Sequence, residues 1–197
     1  GEVIRRIQAQ QIFSVIGNHE LALHDPIHLA RFNAAAKISI EKTKDQLTDD
    51  EINFSASLNT FLLRHNCRFV HGFPLDCPLT YQFQVSEKRI RDIFSKMEEP
   101  ICFTGHTHCL ELIEFDGQRI SRRPLTEGET KLSRDFRYIL NVGSVGQPRD
   151  GDNRAKYAIL DTRRHSIRVR FIPYDIAAVA KRIIESGLPE VHGLRLW

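Results

Sequence analysis

Ile101-Cys102-Phe103-Thr104-Gly105-His106-Thr107-His108 joins a short apolar run to two histidines across a single glycine. Pro100 stands before the run, and Ile101 to Phe103 reads as a buried strand. Gly105 permits a tight turn at its end. In His106-x-His108 the two side chains leave an extended or loop backbone in similar directions, so both can reach one pocket. The same figure occurs twice upstream. Ile12 to Ile16 reads as a strand running into Gly17-Asn18-His19-Glu20, and Cys67 to Val70 reads as a strand ending in His71-Gly72. In α/β folds ligands gather beyond the carboxyl ends of strands, so three such turns can meet at one site.

The residue types fit a metal. Neutral imidazoles with an Asn carbonyl suit Mn²⁺, Fe²⁺ or Zn²⁺ and suit Ca²⁺ poorly, because Ca²⁺ needs more oxygen donors. A ligating ring should donate its other N–H to an acceptor, and Glu20 is one candidate. A single histidine after an apolar strand is more often a turn or core residue than a ligand. Three such turns in series leave chance a poor explanation.

Outward from these turns the chain alternates helix and strand. Gly1 to Gln11 has the pattern of an amphipathic helix, with Val3, Ile4 and Ile7 on one face. Asn33 is the expected cap of a helix to Leu47, and Thr48 with Glu51 forms a capping box for a helix to Leu58. Phe61 to Leu63 pairs with Cys67 to Val70 through His65-Asn66. Ser86 to Met97 is a helix with Ile90, Ile93, Phe94 and Met97 inward. Leu110 to Phe115, the Asp116-Gly117 turn and Gln118 to Ser121 make a hairpin. Strands follow at Tyr138 to Val142, Tyr157 to Leu160 and Ile167 to Phe171. A closing helix carries Ile176, Val179, Ala180 and Ile183, with Gly187 as its terminating residue. Thr126 to Arg134 is polar, and the charged stretch Arg149 to Arg154 reads as a loop. No repeat or linker divides the chain, so 1–197 is expected to be a single α/β domain.

Composition narrows the function. The 197 residues are 41% hydrophobic and 27% charged, with a formal net charge of +3, far from the concentrated basic surface of a dedicated nucleic-acid binder. The four cysteines, Cys67, Cys77, Cys102 and Cys109, show no CxxC spacing and read as reduced thiols of a cytoplasmic protein. No apolar run approaches the roughly 20 residues that span a bilayer. Neither specific nucleic-acid binding nor a membrane partner is expected.

Near the C-terminus Asn141-Val142-Gly143-Ser144-Val145-Gly146-Gln147-Pro148-Arg149 is followed by Asp150-Gly151-Asp152, and later by Phe171-Ile172-Pro173-Tyr174-Asp175. With the GNHE and GHTH turns, these segments resemble the calcineurin-like metallophosphoesterase superfamily in its bacterial branch. The resemblance covers essentially the whole chain and implies a four-layer α-β-β-α sandwich of two mixed β-sheets. It implies that Asn18, His71 and His106 bind one metal and that His108 binds another. It also implies that His19 is catalytic, orienting the phosphate and protonating the leaving oxygen. The activity implied is hydrolysis of a phosphomonoester or phosphodiester by metal-activated hydroxide, with a small phosphate-ester substrate, nucleotides in that class, as the partner. Two divalent transition-metal ions (Mn, Fe, Zn or Ni) would serve it, about 3.5–4 Å apart. Arg149 is a candidate phosphate clamp through a bidentate contact, against a plain reading as a solvent-facing loop arginine.

The sequence departs from the family pattern at its start. Relatives open with a strand ending in Asp-x-His and a second ending in Gly-Asp-x-x-Asp-x-Gly, and neither motif occurs in these residues. The expectation is a fold lacking its first strand-helix-strand unit, and with it the bridging carboxylate. The alternative is therefore a catalytically silent metal-binding or protein-binding scaffold, or a mononuclear site on Asn18, His71 and His106. Phe73 is expected to pack, Cys109 to lie near the site, and Arg168 and Arg170 to line the wet face of an edge strand.

Overall fold

The structure, a computed structural model, describes all residues 1–197. It is a mixed α/β fold with a six-stranded mixed sheet, a second three-stranded sheet and helices. The chain gathers into two compact units, 1–60 with 175–197, and 61–174. No helix is long and apolar enough to cross a membrane.

The first unit is helical. It begins with α1 (Glu2–Ala9), α2 (Asn18–His24), α3 (Pro26–Leu29), α4 (Ala34–Asp45) and α5 (Asp49–Ala56). The caps sit where the sequence places them. Asn33 accepts the N–H of Ala36 at 3.0 Å, and Thr48 and Glu51 satisfy each other's backbone N–H groups at 3.0 and 3.3 Å. Ala22, Leu23 and Ile40 form a small core joined by Leu29, Phe32 and Leu47.

The strand expected over Ile12 to Ile16 does not form. Val15 makes a single parallel bridge with Asn59, where Ile16 donates to the Asn59 carbonyl at 2.9 Å. A strand needs a ladder of partners along its length, and this segment has one bridge. Ile12 and Phe13 are exposed.

The second unit carries the sheets. β1 (Phe61–Arg64) and β2 (Cys67–Val70) form a hairpin whose turn residues His65 and Asn66 both have positive φ, 53° and 58°. That geometry matches the right-handed twist of paired strands. A 3-10 turn at Gln82–Gln84 and α6 (Glu87–Lys96) lead to β3 (Ile101–Thr104), β4 (Leu110–Phe115), β5 (Ile120–Pro124), β6 (Gly128–Lys131), β7 (Arg137–Val142), β8 (Ala155–Asp161) and β9 (Ser166–Ile172). The large sheet has the order β1-β2-β3-β7-β4-β5 and the small one β6-β9-β8. Strands β2, β3 and β7 are parallel neighbours, and the rest of the pairings are antiparallel.

Side chains alternate across the large sheet with the strand period of two. Ile101, Phe103, Leu110, Leu112, Tyr138 and Leu140 face a core that includes Ile167 and Val169 of β9. Cys102, Ile113 and Ile139 point the other way, onto Ile90, Ile93, Phe94 and Met97 from α6. Phe73 is fully buried in that second core, so it packs. One reading changes. The polar stretch after Thr126 contains β6, which pairs along β9. β9 is thereby the central strand of its sheet and not an edge, and Arg168 reaches across to Glu129 at 3.0 Å.

Two further helices, α7 (Ile176–Glu185) and α8 (Glu190–Leu194), belong to the first unit. Gly187 follows α7 with φ 71°, as a terminating residue should.

Candidate functional site

The parallel strands β2 and β3 are hydrogen-bonded neighbours, with Phe69 opposite Phe103. Their carboxyl ends therefore lie side by side, and the turns that follow are adjacent by construction. Gly105 donates its N–H to the His71 carbonyl at 2.8 Å, tying one turn to the other. Nε2 of His71 then stands 3.2 Å from Nδ1 of His106, with ring centroids 5.0 Å apart.

That spacing has a metal-ligand meaning. Two ring nitrogens each about 2.1 Å from one ion, at angles between square and tetrahedral, stand about 3.0–3.4 Å apart. The pair fits two ligands of a single divalent ion. No group of three or more His, Cys, Asp or Glu side chains is gathered closely enough to hold a metal. The third donor expected from the sequence, Asn18, is an amide and lies outside that donor set.

The backbone at this turn is strained. His106 and His108 both adopt φ 63°, a left-handed conformation that costs a non-glycine residue of order 1–3 kcal/mol and clusters at functional sites. The segment is a turn with two left-handed residues, not the extended stretch that spacing alone suggests. His108 places Nδ1 2.6 Å from the Gln147 carbonyl. Nδ1 must be the donor there, which makes Nε2 the unprotonated nitrogen of the neutral ring.

The loop after β7 holds this turn in place. Asn141, fully buried, donates its amide to the Gly105 carbonyl and to Thr107 Oγ1, the latter at 2.9 Å. Gly143 has φ 75°, and a Cβ there would meet Leu110 at 3.1 Å and Lys156 at 3.4 Å, so both backbone and space favour glycine. Ser144 Oγ accepts the N–H of Gln147 at 3.0 Å, aiming the Gln147 carbonyl at His108. The N–H of Arg149 donates to the His108 carbonyl at 3.0 Å. Asp150 accepts the N–H of Leu110 at 3.0 Å. The segment Asn141 to Asp150 thus works mostly through its backbone and its small polar groups.

Arg149 directs Nε and Nη2 at Gln147 Oε1, at 3.2 and 2.7 Å, an exposed contact that leaves part of its five-donor fork for other acceptors. Cys109 Sγ lies 3.4 Å from the Arg149 carbonyl. Burial pushes its thiol up, reinforced by the Asp150 carboxylate, so it is not an activated nucleophile. All four cysteines are free thiols.

Asn18 and His19 belong to the first unit, where they open α2. Asn18 is buried, and His19 is exposed with its ring edge-on to Phe32 at 4.8 Å. Glu20 is spent locally, accepting the Gly17 N–H at 3.0 Å as the helix begins. The histidines read as packing or surface residues include His24, 3.2 Å from Ser55 Oγ, and His192, near the Ala35 carbonyl.

Sequence reasoning missed Tyr81, whose ring lies flat over His106 with centroids 3.9 Å apart. It also missed Asp150 and Lys156, paired at 2.7 Å behind the His108 turn. Tyr81 sits in a stretch without periodicity and gave no signal. An acidic residue two positions past Pro148 could have been flagged as an anchor.

His106 and His108 thus lie on a strained turn after β3, held from one side by His71 and from the other by the loop after β7. Residues 2–165 match the calcineurin-like phosphoesterase superfamily domain, and the chain belongs to that superfamily. It is 31% identical to the uncharacterized protein MJ0912 of Methanocaldococcus jannaschii over 201 residues, covering 100% of this chain and 79% of that protein. The crystal structure of a metallophosphoesterase from Sphaerobacter thermophilus superposes with a TM-score of 0.82 at 32% identity, covering 99% of this chain and 80% of the other. The hypothetical protein PH1004 of Pyrococcus horikoshii OT3 shares the fold, with a TM-score of 0.74 at 15% identity, covering 100% of this chain and 77% of that one.

Proposed function

We propose that this protein hydrolyses a phosphomonoester or phosphodiester with the help of divalent transition-metal ions. The observation that carries the reading is the 3.2 Å approach of His71 Nε2 to His106 Nδ1 on a strained turn. In this proposal His71 and His106 would hold one ion and His108 would offer Nε2 to a second, while the family resemblance assigns Asn18 to the first ion. The ions, when bound, draw charge from the phosphoryl oxygens and lower the pKa of a water for in-line attack. His19, exposed at the start of α2, gives its proton to the departing oxygen, a task suited to an imidazole near neutral pH. Arg149 binds a phosphate oxygen by exchanging its Gln147 contact for the substrate.

Calorimetric titration with Mn²⁺ and turnover of bis-p-nitrophenyl phosphate test this together. His71→Ala and His106→Ala are expected to weaken metal binding at least tenfold. His19→Ala is expected to keep the metal and lose about 10²–10⁴-fold in rate. Turnover that survives in His106→Ala would remove the proposal, and metal bound without any turnover would leave a metal-binding scaffold.

A further inference from the structure

Beside the histidine pair stands a short aromatic staircase that hydrolysis as such does not require. Tyr81 covers the His106 ring with planes inclined at 22°. Phe83 continues from Tyr81, with centroids 5.2 Å apart and planes at 28°. Phe83 keeps 65% of its surface exposed. A lone exposed phenylalanine is ordinary. This one differs because it ends a stack that begins on a candidate metal-binding residue.

The residue between the two rings explains why Phe83 stays out. Gln82 is almost fully buried. Its amide donates to Glu111 Oε2 at 2.5 Å, and its side-chain oxygen accepts from Thr104 Oγ1 at 3.0 Å. Its backbone carbonyl accepts from Arg122 Nη2 at 3.0 Å, and Arg122 is itself paired with Glu111 at 3.1 Å. The 3-10 turn is thus fixed at its centre from both sides. With Gln82 held inward, its neighbour Phe83 is held outward, and the ring is pre-organised and not merely loose.

We propose that Phe83 and Tyr81 form a stacking platform for a nucleobase whose phosphate lies at the His71–His106 pair, so that the substrate is a nucleotide or a nucleotide ester. The proposal rests on the phosphoester reading above. Phe83 is linked to His106 through Tyr81, by centroid steps of 5.2 and 3.9 Å, a reach on the scale of a pentose and its phosphate-bearing carbon. Every base offers a π-face, so the platform should favour bases over no base and discriminate little among them.

Two readouts test this. The first is the calorimetric Kd of adenosine 5′-monophosphate against ribose 5-phosphate, measured with and without Mn²⁺. The wild type should bind the nucleotide about tenfold more tightly, the lower part of the range for base–aromatic stacking. Phe83→Ala should erase that preference, and Phe83→Trp should retain it. The second is kcat/KM for the p-nitrophenyl ester of thymidine 5′-phosphate against methyl p-nitrophenyl phosphate. Phe83→Ala should lower the first about tenfold and leave the second unchanged. Equal affinity for the two phosphates, or equal losses on both esters, would overturn the platform while hydrolysis stands. A base preference without any turnover would keep the platform and discard the hydrolase reading. No binding of either phosphate would discard both.

Discussion

Lys156 has a fully buried side chain, and its ammonium meets Oδ1 of Asp150 at 2.7 Å. The other carboxylate oxygen accepts the N–H of Leu110, two residues beyond His108. The pair therefore links β8, the loop after β7 and the exit from the histidine turn. Removing one partner of a buried ion pair typically costs 3–5 kcal/mol, because the other charge stays desolvated. Lys156→Met should lower unfolding stability by about 3–5 kcal/mol in urea titration. Adding Asp150→Asn should recover part of the loss, since the amide removes the stranded charge and still accepts from Leu110. A single variant within about 1 kcal/mol of the wild type would show that the pair carries little stability.

His106 occupies a left-handed backbone, and that gives an inverted ranking of substitutions. Glycine usually destabilises relative to alanine, because the unfolded chain gains freedom, by about 0.4–1 kcal/mol. At φ 63° the Cβ itself is penalised, by roughly 1–2 kcal/mol. His106→Gly should therefore be more stable than His106→Ala by about 1 kcal/mol, although both lose the histidine. Equal stabilities in urea would argue that the turn relaxes once the imidazole is gone.

How much of this was legible in the sequence depends on the range of the interaction. Local signals read well. The caps at Asn33 and Thr48, the inner face of α6 and the turn at His65-Asn66 each depend on residues a few positions apart, and each forms as expected. The meeting of His71 and His106 was legible as a pattern because two apolar runs each end in a histidine. The distance came only with the parallel pairing of β2 and β3. Ile12 to Ile16 has the apolar character of a strand, but character cannot supply a ladder partner. β6 fails the other way: Gly128, Glu129, Thr130 and Lys131 carry no apolar alternation, and their strand geometry comes from pairing with β9. Tyr81 over His106 is a contact between loops, and no periodicity announces it.

Asp152 supplies a pH dependence with a definite sign. The Arg154 side chain bonds its carboxylate, and the Arg154 backbone N–H adds a second bond, together holding it down to about 2. A folded-state value below the unfolded one gives stability that is present above about pH 4, the ordinary range of an aspartate. That stability is lost as pH falls toward 2. Other carboxylates, among them Glu51 and Asp161, are also held low, so the wild-type curve alone does not isolate this group. The difference between wild type and Asp152→Asn does. It should be constant above about pH 4 and shrink toward zero by about pH 2. A difference that grows on acidification would contradict the Arg154 assignment.

Gly72 follows His71, and the space around it decides what can stand there. A Cβ at this position would lie 2.4 Å from the Cys77 carbonyl oxygen and 2.8 Å from the Pro78 carbonyl carbon. Both are backbone atoms, so no side-chain rotation relieves the clash. The short segment between them is closed by reciprocal bonds of Phe73 and Cys77, at 2.8 and 3.2 Å, and Phe73 is locked in the core. The cheaper movement is therefore on the His71 side. His71 carries the carbonyl that receives Gly105 and the imidazole that faces His106. Gly72→Ala should cost about 1–3 kcal/mol in stability, as overpacking does. It should also weaken Mn²⁺ binding more than that loss of stability would suggest, because the 3.2 Å approach of the two rings is what moves. Calorimetry on the folded variant separates the two effects. Unchanged metal affinity with lowered stability would mean that the 73–78 segment yields instead and the histidine pair stays put.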